Sequence, residues 1–189
     1  MTDAVGPAGR AATPDRLANL PISFFATVMG LSGLTLATLR LEHFLGAPHR
    51  ASLLALVLAA AVFVVLAGLY ALKLRRFPAE VNAEWHHPVK IAFFPTISIS
   101  LVLLGTAVQP VAADIGVILW GLGSALHLLA TVAIVSMWIS GEHFEAPHLN
   151  PAWFIPAVGN VLVPLVGAPH GYVEVSWFFL SIGLLFWLV

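Results

Sequence analysis

His87-Pro88-Val89-Lys90-Ile91-Ala92-Phe93-Phe94-Pro95-Thr96 opens an apolar run that continues to Gly105, and its opening is repeated twice elsewhere in the chain. Asn19-Leu20-Pro21 leads into Ile22-Ser23-Phe24-Phe25, and Leu149-Asn150-Pro151 leads into Ala152-Trp153-Phe154-Ile155. Pro21, Pro88 and Pro151 recur at near-equal intervals. Proline suits the first turn of a helix, because its missing N–H would have no partner there. Each interval leaves room for one further apolar segment running back. The pattern predicts a helical hairpin repeated along the chain, with every proline-led helix entering a membrane from the same side.

Composition agrees. The residues are 60% hydrophobic and 9% charged, with mean hydropathy +0.97, where an ordinary soluble domain is roughly 25% charged. A net charge of −1 with histidines neutral gives no basic surface for nucleic acid. The absence of cysteine excludes disulfides, thiolate metal sites and cysteine nucleophiles. The chain reads as an all-α integral membrane protein of about six spans.

Residues 1–18 are rich in Ala, Gly and Pro and carry Arg10 and Arg16, as in a flexible tail. No apolar core follows a basic start directly, as a signal peptide would require. Residues 19–189 form the transmembrane domain. Its first span, about 20–39, is long enough to cross ~30 Å of hydrocarbon at ~1.5 Å per residue. Thr27, Gly30, Gly33 and Ala37 make a small-residue stripe along it, suited to close helix packing or to lining a pore. The second span, about 51–72, is mostly Ala, Val and Leu and reads as a lipid-facing or packing helix. Lys73, Arg75, Arg76 and Lys90 then bracket a polar connection holding Glu80, Glu84, His86 and His87. The third span is about 89–108. The fourth, about 115–139, carries His127 near its middle, a candidate intramembrane polar site. The plainer alternative is a neutral imidazole bonded to a neighbouring helix. A loop at 141–150 leads to the fifth span, about 151–168, and the sixth runs from about 172 to 189.

The N-terminal tail and the connection after span two share one side, and together hold Arg10, Arg16, Lys73, Arg75, Arg76 and Lys90. Arg40 and Arg50 fall on the other. The positive-inside rule therefore places the N-terminus in the cytoplasm, and the proline-led spans enter from there. A cell membrane is the expected location.

The odd spans carry the polar detail. Thr96 and Ser100 share a helical face, and Pro156, Asn160 and Pro164 form a stripe on the fifth span. Pro95, Pro156 and Pro164 interrupt the hydrogen-bond ladder and free carbonyls near Ile91, Ala152 and Asn160. Such groups are tolerated at membrane depth where protein or a water-filled cavity receives them. Repeated kinks and hydroxyls on parallel helices point to a shared conduit, against the alternative of kinks repaired by neighbouring helices.

His87-Pro88-Val89-Lys90-x-x-Phe93-Phe94, the earlier Phe24-Phe25-x4-Gly30, and Asn150-Pro151-x-x-x-Ile155-Pro156-x-Val158-x-Asn160 resemble the first, third and fifth helices of the tellurite-resistance/dicarboxylate transporter family. That family takes in TehA-type bacterial proteins and plant slow-type anion channels. The resemblance runs from Leu17 to the C-terminus. It implies a ten-helix subunit of five hairpins in quasi-fivefold arrangement, odd helices around a central pore, and a homotrimer. The chain corresponds to an N-terminal portion. The family's occluding phenylalanine lies on the ninth helix, so no residue here takes that role.

An anion passage fits these residues. Helix N-termini carry about half a positive charge each, Lys90 adds a full one at the same mouth, and no Asp or Glu lies inside the odd spans. The expected pore lining is Thr27, Gly30, Gly33, Thr96, Ser100, Pro156, Asn160 and Pro164, with Lys90 at the anion entrance. Small inorganic or organic anions, dicarboxylate or tellurite-related oxyanions among them, are the expected cargo, and the lipid bilayer the other partner. Rival readings are an ion-coupled C4-dicarboxylate carrier and a non-conducting assembly subunit. A membrane metalloenzyme would draw on His143, Glu145 and His148 or on His86 and His87, but no base is set beside them; no catalytic residue, metal or cofactor is expected.

Overall fold

The computed structural model describes residues 15–140 and 150–188, and their regular structure is helical throughout. The α-helices are α1 (Phe25–Leu45), α2 (Arg50–Arg76), α3 (Pro78–Trp85), α4 (Pro95–Val108), α5 (Ala113–Ser140), α6 (Phe154–Val158), α7 (Pro164–Gly167) and α8 (Val173–Leu188). Among the described residues, four segments are long and apolar enough to cross a membrane: Ile22–Leu45, Arg50–Arg76, Lys90–Val108 and Ala113–Ser140. Pro151–Gly167 and Val173–Leu188 are shorter apolar helices.

Each proline-led span begins with a turn of 3-10 helix, at Ile22–Phe24, Lys90–Phe93 and Pro151–Trp153. The first turn of such a helix has no use for the N–H that proline lacks, and the tighter winding satisfies early carbonyls locally. Span three is the hub. It is 67% buried, against 17% for span two, and packs on α1, α2, α5 and the fifth span. Span five is the irregular one: α6, a 3-10 stretch at Gly159–Leu162, then α7, broken where Pro156 and Pro164 remove ladder donors.

The first hairpin closes at Gly46, whose φ of 62° is the left-handed conformation that ends a helix and that a side chain would oppose. The Glu42 carboxylate then accepts from the backbone N–H of Ala51 at 2.7 Å and from the N–H and hydroxyl of Ser52. An anion thus sits on the N-terminus of α2, where the helix dipole favours it. Spans three and four meet through glycine. A Cβ on Gly105 would lie 2.7 Å from the Trp120 nitrogen and 2.8 Å from the Gly116 oxygen, so the two backbones touch. This is the close approach that small residues permit between membrane helices.

One expected boundary needs correction. Span one does not stop near residue 39 but continues through Arg40, Glu42 and His43 to Leu45. The polar connection after span two contains the helix α3, opened by Pro78 at its first position with Glu80 in its first turn. Of the two readings of span two, lipid-facing or packing, packing holds near its ends, where Ser52, Tyr70 and Lys73 are buried and hydrogen-bonded to other elements.

Candidate anion pathway

Spans one, three and five converge on one cleft. Met29 from α1, Ile99 from α4, and Ile155, Val158, Gly159 and Leu162 from the fifth span line a cavity of about 290 Å³. Its wall is almost wholly apolar. Beside Met29, one face of α1 is left uncovered by the described residues: Thr27, Gly30, Gly33 and Ala37 are all exposed, and nothing among them lies within 4 Å of a Cβ built on Gly30 or Gly33. The stripe therefore packs against no other helix among the described residues, and the close packing it suits is made instead at Gly105, Gly116 and Gly123.

Thr96, Ser100 and Asn160 are placed differently. None has exposed surface. The Thr96 hydroxyl donates to the Phe93 carbonyl, and Ser100 donates to Thr96 O at 2.6 Å, with Phe25 O at 3.3 Å. Asn160 gives its amide to Ala157 O at 2.7 Å and Pro156 O at 3.2 Å, and approaches the Thr131 hydroxyl of α5 at 3.4 Å. Pro156 is buried and Pro164 half-buried. These side chains are turned into the packed interior: each hydroxyl and the Asn160 amide nitrogen donate to backbone carbonyls, while Asn160 Oδ1 is buried without a partner among the described residues. The freed carbonyls are met locally. Ile91 O accepts from Phe94 N at 3.1 Å, and Asn160 O accepts from Val163 N at 3.2 Å, in 3-10 geometry.

Lys90 is exposed at the head of span three. Just before it, His87 Nδ1 accepts from the N–H groups of Val89 and Lys90 at 3.2 and 3.3 Å, capping the turn with a side chain. Trp153 at the head of span five donates its indole N–H to Pro88 O at 3.2 Å, so the two proline-led entrances are tied together.

Behind the entrances lies a cluster the sequence reading missed. Lys73, 1% exposed, pairs with Glu84 at 3.1 Å and donates to Leu20 O at 2.7 Å; Tyr70 donates to Glu84 at 2.8 Å. Phe25, Phe94 and Trp85 stack edge-on around the Tyr70 ring and one another. A lysine and a glutamate eleven positions apart gave no local signal, because α3 must fold back before they meet. His127 is buried in α5, with Nδ1 3.0 Å from Ser98 Oγ on span three. Among the described residues no group of three His, Cys, Asp or Glu side chains could hold a metal. His143, Glu145 and His148 lie outside the described residues.

Residues 19–189 match the SLAC1 family, described as voltage-dependent anion channel. The chain belongs to that family. It is 31% identical over 175 residues to a tellurite resistance protein TehA homolog of Haemophilus influenzae, covering 90% of this chain and 52% of that protein. It is 31% identical over 180 residues to the S-type anion channel SLAH3 of Arabidopsis thaliana, covering 92% of this chain and 28% of that one. An uncharacterized transporter of Methanocaldococcus jannaschii, MJ0762, is 29% identical over 157 residues, covering 80% of this chain and 46% of its own length. The chain spans about half the length, or less, of these relatives. The SLAC1-family assignment agrees with the helical membrane fold and with the resemblance carried by His87–Phe94 and Asn150–Asn160.

Proposed function

We propose that the chain forms part of a passage for small anions through a membrane, with spans one, three and five as its wall and spans two, four and six behind them. The observation that carries this reading is the meeting of the three proline-led spans on one cleft, flanked by the uncovered Thr27–Gly30–Gly33 face of α1. That lining offers no carboxylate to repel an anion and few groups to bind it tightly, which suits conduction. Lys90 and the span N-termini supply the attracting field at the entrance. The buried Thr96, Ser100 and Asn160 hold the wall in shape and reach an anion only if the packing around them loosens. Pro156 and Pro164 act in the same way, by breaking span five. With the N-terminus in the cytoplasm, Lys90 lies at the inner mouth, and the assembly is a homotrimer.

The test is anion efflux from vesicles containing the reconstituted chain. Efflux of a halide or nitrate above that of protein-free vesicles, with cations excluded, is the expected result. Gly33→Leu, whose Cβ would meet nothing within 4 Å on the uncovered face, should lower it strongly. Equal permeation by cations, or efflux indifferent to Gly33→Leu and to Lys90→Glu, overturns the reading.

A further inference from the structure

Three side chains on one face of α5 reach the broken fifth span. Thr131 donates to Pro156 O at 2.7 Å, and Trp120 donates its indole N–H to Val163 O at 2.7 Å. Both acceptors flank the 3-10 stretch, and Val163 O also keeps its helical bond from Gly167 N at 3.3 Å. His127 lies between these two donors on α5 and against Gly159, midway between the two acceptors. It is 1% exposed, and a Cβ on Gly159 would stand 2.8 Å from both Cε1 and Nε2 of its ring.

The proton on that ring can be assigned. Ser98 has one hydroxyl hydrogen and donates it to Pro95 O at 2.8 Å. Its 3.0 Å contact with His127 Nδ1 is therefore one in which Ser98 accepts, so Nδ1 carries the hydrogen. In the neutral ring Nε2 is then a bare lone pair. It is buried and has no hydrogen-bond donor among the described residues. The other two α5 groups hold span five with hydrogen bonds; this one only faces it.

We propose that His127 Nε2 is a proton-binding site whose occupation opens the seam between α5 and the fifth span. A charged ring in the closed seam would keep its single bond to Ser98 and gain no counter-ion. α4 and the segment 151–167 contain no acidic or basic side chain, and Asp114, the other titratable group of α5, is in that helix's first turn. An unpaired charge at this depth is costly. The closed seam consequently binds the proton more weakly than an opened, hydrated one. By linkage, acidification shifts the population toward the open seam and alkalinisation restores the closed one. Gly159 couples this to the cleft, since it touches His127 on one side and lines the cavity on the other. Only that coupling to permeation rests on the proposed anion passage; the proton site itself does not.

The experiment is nitrogen NMR of the chain in lipid nanodiscs, with labelled histidine and tryptophan, acidified stepwise from neutral pH while the fold persists. No flux is measured, so the result stands apart from the test of anion passage. At neutral pH His127, identified by its loss in His127→Gln, should show hydrogen on Nδ1 and a bare Nε2. On acidification the ring should become doubly protonated, and the Trp120 indole signal should move in the same step as its bond to Val163 O breaks. In His127→Gln the Trp120 signal should stay in place. Gly159→Ala brings a methyl within 2.6 Å of Ile99 Cδ1 and 2.8 Å of the His127 ring, and should put Trp120 in its acid position at neutral pH. This second variant decides the matter if His127→Gln does not fold. A ring that stays neutral, a Trp120 signal that stays still or moves equally in His127→Gln, or an unmoved Trp120 in folded Gly159→Ala, each overturns the proposal.

Discussion

Lys73 and Glu84 show what a charge costs inside this fold. Each is almost fully buried, and each has the other as its ion-pair partner. Removing one side leaves an uncompensated buried charge, an effect of about 3–5 kcal/mol. Lys73→Met or Glu84→Leu alone should therefore lower the thermal stability of the detergent-solubilised protein sharply. The double replacement should recover much of the loss, because neither charge is then stranded. A double variant as unstable as the singles would show that Tyr70 and Leu20 O, rather than the ion pair, account for the effect. Accessibility gives a second residue-level check. The chain has no cysteine, so single cysteines report cleanly. Gly33→Cys should react quickly with a small soluble thiol reagent, and Asn160→Cys slowly, because its site is enclosed by α5 and α8. Fast labelling at 160 would return the fifth-span stripe to the pore wall.

Between elements, the seams of α5 differ in how they are held. Against span three it is backbone contact across Gly105, Gly116 and Gly123. Gly105→Leu should force the two helices apart and cost at least the 1–3 kcal/mol typical of an overpacked core, read as loss of thermal stability. Against span five it is the donors Thr131 and Trp120 meeting backbone carbonyls. Thr131→Val keeps the shape but deletes the bond to Pro156 O, and should cost about 0.6 kcal/mol, the average for side-chain bonds between membrane helices, and no more than about 1.7 kcal/mol. A far larger loss would mean that the fifth span depends on that one bond. The sequence showed Pro156 and Pro164 breaking this span, yet it could not show where the freed groups turn. Helical period gives a residue's angle around its own axis, not which neighbour stands at that angle.

For the molecule as a whole, charge asymmetry and field set the expectations. A reporter fused after Arg76 should lie in the cytoplasm, and one fused near Gly46 on the far side. The reverse result would move Lys90 to the outer mouth. If Lys90 gathers anions, Lys90→Glu should reduce efflux most at low salt, since the reach of charge is ~8 Å at physiological ionic strength and longer in dilute buffer. Efflux unchanged at low salt would remove Lys90 from the mechanism.

Sequence by itself determined the helical class, the six apolar segments and the proline-led openings at Pro21, Pro88 and Pro151. Those features are local: hydropathy and a missing N–H act on the few residues around them. It also carried the family resemblance, because the His87–Phe94 and Asn150–Asn160 patterns are contiguous. Tertiary structure decided which polar groups face outward. Thr27, Gly30 and Gly33 stay uncovered, while Thr96, Ser100 and Asn160, alike in polarity, are enclosed. It also decided that Lys73, a flanking charge by its position, is a buried partner of Glu84. Burial is a property of what another segment brings to a residue, and α3 and α5 bring their side chains from far along the chain. No periodicity within one span contains that information.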